Sequence, residues 1–300
     1  MPRWFLFTVV AVLCWGLWAI VSKLIGEAVT AAQSQALSTL GLVPAMLALG
    51  CSKRLTATGD RRRGSINAFL AGALTCAGNV AYYHALNVGG QATTVVPLTA
   101  LYPLVTIVLA VLVLRERLNR VQLTGLVLSL VAIWLFNVGS VAGAMNGWLI
   151  YALIPIGLWG VSGLLQKLAT NDISGELSAL WFLAAFVPVA AVLLFLQPLT
   201  GPVAPKTWLL VVALGLSFSL GNYAILVAFA RAGKASIIAP LAGLYPLVSV
   251  PLALAFLGER IGPREAAGLV VALASVAALA WERPAAEVQG PTEANGGNRG

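Results

Sequence analysis

Apolar residues run through this chain in long blocks instead of alternating with polar ones. About ten blocks, most of roughly 18 to 25 residues, are each long enough as a helix to cross about 30 Å of hydrocarbon: 4–25, 30–50, 65–88, 91–114, 120–137, 147–169, 175–197, 205–231, 234–257 and 263–281. Most connections between them are short, and segments with the period-2 alternation of a β-barrel do not occur. The pattern predicts an all-α membrane protein whose transmembrane helices form a compact bundle, because helices satisfy their own backbone polar groups where no water can.

Composition agrees, since 60% of the 300 residues are apolar and only 9% charged, with a mean hydropathy of +0.93. That leaves too little polar surface to cover a water-soluble domain of this size. The segment from Trp4 is too long for the apolar core of a cleaved signal and lacks a small-x-small site, so it reads as the first span. The stretch 284–300, rich in Gly, Pro, Asn and Glu, reads as a disordered tail.

Two stretches repeat. "PLTALYPLVTIVLAVLVLRERL" (97–118) and "PLAGLYPLVSVPLALAFLGERI" (240–261) match at a constant shift of 143, as do Gly78-Asn79 with Gly221-Asn222 and Gly125-Leu126-Val127 with Gly268-Leu269-Val270. At a shift of 144, Trp15-Gly16 matches Trp159-Gly160, and Lys23-Leu24 matches Lys167-Leu168. The chain therefore divides into a first repeat (1–137), a short connection (138–146), a second repeat (147–283) and the tail. Five spans per repeat force the second copy to enter the membrane from the opposite side, giving two inverted five-helix repeats.

The net charge of +8 would suit a nucleic acid, but the basic residues lie at span ends and in connections, so no nucleic acid partner is expected. With the N-terminus inside, Arg3, Lys53, Arg54, Arg61, Arg62, Arg63 and most other basic residues fall on the cytoplasmic side, against Lys23, Lys206, Arg260 and Arg264 outside. Both termini are then cytoplasmic. Cys14, Cys51 and Cys76 show no metal spacing and read as small apolar fillers.

In "CWGLWAIVSKL" of the first span, the Gly-Asn pairs of spans 3 and 8, the two "LYPLV" segments, and the "LRERL" and "LGERI" ends of spans 4 and 9, the chain resembles the drug/metabolite transporter superfamily, and within it the bacterial EamA-type permeases. The resemblance covers residues 4 to 281. It implies a basket of two inverted five-helix bundles around a central cavity, in the cell (inner) membrane, moving small metabolites, often amino acids or related compounds, usually outward.

Which residues could make a polar path can be read from the spans themselves. Pro97 and Pro103 in span 4, and Pro240 and Pro246 in span 9, remove backbone donors, so the helices should break or hinge beside Tyr102 and Tyr245. Trp15 and Trp18 share a face with Ser22, and Trp159 shares one with Ser162 and Gln166, suiting a cavity for an amphipathic molecule. Thr75, Asn79, Tyr82 and Tyr83 form a polar stripe in span 3, and Asn222 lies with Ser219 in span 8; the two asparagines either bond between helices or contact substrate.

Lys23 and Lys167 either snorkel to the interface or stand at the two mouths of the path; His84 could titrate near neutral pH or stay neutral in a hydrogen bond. Glu116-Arg117 and Glu259-Arg260 end spans 4 and 9 as gate locks or as solvated caps. No acidic residue lies at mid-depth, which counts against proton-coupled export of lipophilic cations.

These observations predict a secondary transporter, monomeric or weakly oligomeric, needing no cofactor or metal. A carrier or flippase for larger anionic or lipid-linked molecules is the alternative. A membrane enzyme is disfavoured, because GxSxG, HExxH and any cluster of membrane carboxylates are missing from the sequence.

Overall fold

In a computed structural model, the described residues are 3–115, 119–137, 147–232, 235–279 and 281. The expected connection 138–146, the tail 284–300 and Glu116-Arg117 lie outside them. The described chain is all-α, apart from one isolated bridge between Ala57 and Ile173.

Fourteen α-helices are described: α1 (Arg3–Ile25), α2 (Ala31–Ser38), α3 (Val43–Gly50), α4 (Arg61–Asn87), α5 (Ala92–Thr99), α6 (Pro103–Leu114), α7 (Arg120–Asn137), α8 (Gly147–Asp172), α9 (Gly175–Ala184), α10 (Phe186–Leu196), α11 (Pro205–Ala232), α12 (Ala235–Ala242), α13 (Pro246–Phe256) and α14 (Pro263–Leu279). By length and composition six segments can cross a membrane: α1, α8, α11, the joined Ala92–Val113 and Gly175–Leu196, and Ile238–Phe256. The count of ten expected from the sequence is therefore not reached among the described residues.

Two of the remaining segments show why. Block 30–50 is split by a 3-10 turn at Thr39–Leu42, and α4, though 27 residues long, is rich in Gly, Ala and polar residues. Its buried face carries Thr75, Cys76, Asn79, Tyr82 and Tyr83, so α4 is shaped to meet other helices more than lipid.

Local signals explain the ends. Thr30 and Gln33 form a reciprocal capping box at α2, Asp60 accepts from the Arg62 and Arg63 amides at α4, and Ser174 accepts from Leu177 at α9. Gly89, at φ +103°, lets the chain turn from α4 into α5.

Contacts between the halves come in pairs related by the shift of 143 to 144. The broadest interfaces are α4 with α8 and α1 with α11, followed by α7 with α14. Gly16 lies against Val248 and the Tyr245 carbonyl, and Gly160 against Val105 and the Tyr102 carbonyl. Each copy thus presents to the other the surface it receives, as in an isologous dimer. The outer surface is a belt of exposed apolar residues such as Phe195, Phe256 and Leu209, as a lipid-facing wall requires.

Some seams bring backbone onto backbone. A Cβ on Gly72 would meet the Phe182 carbonyl, and one on Gly215 the Ser38 carbonyl and Gly41 Cα. Gly215→Ala is expected to lower the thermal midpoint in detergent by several degrees, through about 1–3 kcal/mol of overpacking. Gly157→Ala, with open space around the added methyl, should leave it unchanged. Equal shifts for the two variants would remove the backbone seam as the cause.

Candidate functional site

Trp15 and Trp18 project from one face of α1, and Trp159 from the matching place on α8. The indoles can approach the facing helices because glycine stands there: a Cβ on Gly221 would lie 2.6 Å from Trp15 Nε1, and one on Gly78 2.5 Å from Trp159 Nε1. Trp15 meets Tyr245 edge-on at 6.4 Å between ring centres, and Trp159 meets Tyr102 in the same way at 6.2 Å.

Both tyrosines sit at the expected helix breaks, Ala100–Tyr102 and 243–245, with Pro103 and Pro246 opening the following helices α6 and α13. Pro97 and Pro240 lie inside the preceding short helices α5 and α12. Each hydroxyl reaches the opposite half: Tyr245 donates to the Val96 carbonyl (3.4 Å) and lies 3.2 Å from Thr99 Oγ1, while Tyr102 donates to the Ala239 carbonyl (3.5 Å). The two broken helices are pinned together where they are weakest.

Between them lies a cavity of about 50 Å³, lined by Trp15, Trp18, Trp159, Tyr102, Tyr245, Asn79, Asn222 and Gln166, together with Thr75, Phe218, Ile225 and Phe229. That volume is room for a few water molecules. None of the described lining residues is charged. On the α4–α8 side Thr75, Ser162, Gln166 and Trp159 satisfy one another: Thr75 Oγ1 and Ser162 Oγ are 2.7 Å apart, Gln166 Nε2 donates to Ser162 (3.2 Å), and Trp159 Nε1 donates to the Thr75 carbonyl (3.4 Å).

The α1–α11 side is wired differently. The carbonyl equivalent to that of Thr75 belongs to Phe218, and it receives the Asn222 amide at 2.9 Å. Among the described residues Trp15 Nε1 is left buried with no partner, and across the cavity, on α4, so is Asn79 Oδ1. An unpaired donor and an unpaired acceptor therefore both border one small cavity, each at a cost of about 1–3 kcal/mol to the empty protein.

Other expected residues stand elsewhere. Tyr82 stacks on Trp18 at 4.8 Å and Tyr83 accepts a 2.9 Å hydrogen bond from Trp18 Nε1, so both stand behind the lining and hold the indole. Lys23 does not face the cavity: its Nζ donates to the Leu86 and Gly90 carbonyls, both at 2.9 Å, at the end of α4. Lys167 is buried on α8 outside the lining. His84 packs its ring against Tyr151 at 4.2 Å, away from the cavity.

Phe218, Ile225 and Phe229 were not expected. Phe218 and Ile225 occupy the positions one repeat beyond Thr75 and Tyr82, so applying the shift to the polar stripe of span 3 would have found them.

At one end of the bundle, Glu259 closes the arrangement. Its carboxylate accepts the Ala92 and Thr93 amides, both at 2.8 Å, at the first turn of α5. This ties the end of α13 in the second half to α5 in the first, favoured by charge and by the α5 dipole. At the other end of α4 and α8, Arg54 stands 3.8 Å from Glu176 and Arg63 3.9 Å from Asp172.

The family described as EamA-like transporter family matches the chain twice, over residues 2–138 and 146–281. No curated protein matches it. A crystal structure of a protein 19% identical in sequence aligns with 91% of this chain and 94% of its own at a TM-score of 0.67, a likeness of fold.

Proposed function

The chain belongs to the EamA-like transporter family and is a multi-pass membrane protein, and from that premise we propose that it exports a small amphipathic metabolite with no net charge, such as a neutral amino acid or a related compound. The observation that carries the reading is the uncharged aromatic cavity between the halves, with a spare N–H at Trp15 and a spare carbonyl oxygen at Asn79. A zwitterion supplies an acceptor for the first and a donor for the second, and its apolar side chain suits the rings. A net ionic solute would lose its hydration there without a counter-charge.

The proposed mechanism is alternating access by exchange of shape between two inverted repeats. Contacts of side chains along the helices support it. Lys23 meets Leu86, and Trp18 meets Tyr83, so α1 and α4 run the same way. His84 meets Tyr151, Thr75 meets Ser162 and Gly64 meets Ile173, so α8 runs opposite to α4. Since α8 is the copy of α1, the two copies run in opposite directions. The breaks at Tyr102 and Tyr245 are then the hinges, and the Glu259 contact is the closed gate at one end. With both termini cytoplasmic, in the inner membrane, that gate faces outward.

Purified protein in liposomes tests this. Neutral amino acids are expected to cross at least roughly tenfold faster than acidic, basic or lipophilic cationic solutes. Flux should change little when a pH gradient is added, because none of the described lining residues is acidic. Flux of charged solutes alone, or of no solute in the panel, would overturn the reading.

A further inference from the structure

Three successive arginines, Arg61, Arg62 and Arg63, begin α4. Arg63 turns toward Asp172, whereas Arg61 and Arg62 are exposed and form no ion pair among the described residues. The neighbouring Asp60 carboxylate is occupied by the Arg62 and Arg63 backbone amides. Below the arginines, Ser65, Ile66, Phe69 and Leu70 continue down α4, and Trp181 of α9 forms the opposite wall of a shallow groove of about 560 Å³. Ile66 and Leu70 are each 47% exposed and Trp181 40% exposed.

The helix descends about 12 Å from Arg62 to Leu70, at roughly 1.5 Å per residue. Over that depth the groove passes from two guanidinium groups, through a hydroxyl, to an apolar wall. Water would leave the wall wet, and a bare acyl chain would leave the guanidinium groups unmatched. An anionic head on a hydrocarbon tail matches both parts. We infer that this groove binds an anionic phospholipid, the phosphate bridging Arg61 and Arg62 and one acyl chain lying against Ile66, Phe69, Leu70 and Trp181. The site is separate from the central cavity, with which it shares no residue.

The test uses the full chain in a neutral detergent, with phosphatidylglycerol, phosphatidylcholine and soluble glycerol phosphate added in turn. Phosphatidylglycerol is expected to raise the thermal midpoint and to remain bound in native mass spectra. Phosphatidylcholine and glycerol phosphate should do neither, because one lacks the net charge and the other the tail. Arg61→Gln/Arg62→Gln should weaken phosphatidylglycerol binding roughly thirtyfold, whereas Arg120→Gln, on α7, should leave it unchanged. If the double variant does not fold, the comparison of the two lipids on the unsubstituted protein decides. Equal retention of both lipids, a shift from glycerol phosphate alone, or undiminished binding by a folded double variant would overturn the site.

Discussion

Asn79→Leu is expected to leave the empty protein as stable as before, or more so, while export of a neutral amino acid falls roughly ten- to hundredfold. The two effects separate because Asn79 Oδ1 has no partner in the empty cavity, so removing it takes away a buried unsatisfied oxygen and not a bond. If that oxygen receives a substrate ammonium, the loss is a hydrogen bond to a charged group, about 1.5–3 kcal/mol. Trp15→Phe should act in the same way on the substrate carboxylate, since the ring contact with Tyr245 survives while the N–H goes. Thermal midpoints and liposome flux of both variants check this. A lowered midpoint with unchanged flux would show that the two atoms serve packing alone.

Glu259→Ala should open one end of the protein. If the contact is the proposed gate, two charge-assisted bonds to the first turn of α5 hold that end shut, and because the carboxylate is only half-buried their loss should shift the balance of conformations by about 1–2 kcal/mol, or roughly tenfold. The reporter is a cysteine at Ala239, on the cavity wall, in a chain whose Cys14, Cys51 and Cys76 are alanine. Its reaction with a membrane-impermeant thiol reagent, added from the Glu259 side, should quicken about tenfold. Glu259→Gln should give a smaller rise, since its one carbonyl oxygen still accepts. An unchanged rate in both would make Glu259 a helix cap without a gating part.

Much of the site was legible because the chain writes it twice. Trp15 and Trp159, Asn79 and Asn222, and Tyr102 and Tyr245 all stand out as polar or aromatic pairs at a spacing of 143 or 144, and all of them line the cavity. The breaks before Pro103 and Pro246 were equally plain, since proline restricts the residue ahead of it. Phe218, Ile225 and Phe229 were hidden because an apolar side chain facing a cavity looks, in one dimension, like one facing lipid. The partners of Glu259 were hidden for another reason: its carboxylate accepts from the amides of Ala92 and Thr93, and a backbone amide leaves no mark on the sequence. His84, which the sequence offers either as a titrating group or as a neutral hydrogen-bonded one, stands with its ring against Tyr151 and outside the cavity lining, a placement that one dimension does not display.

The unlike partners of the Thr75 and Phe218 carbonyls have a consequence for timing. One accepts an indole N–H from Trp159; the other accepts its own helix's Asn222 amide. Perfect twins trading shapes would spend equal hours facing either side of the membrane. Under the proposed alternating access, with one latch fastened and its sibling left undone, the empty protein would rest on a preferred side, and a solute that captured the loose indole of Trp15 would even the odds and set the cycle moving.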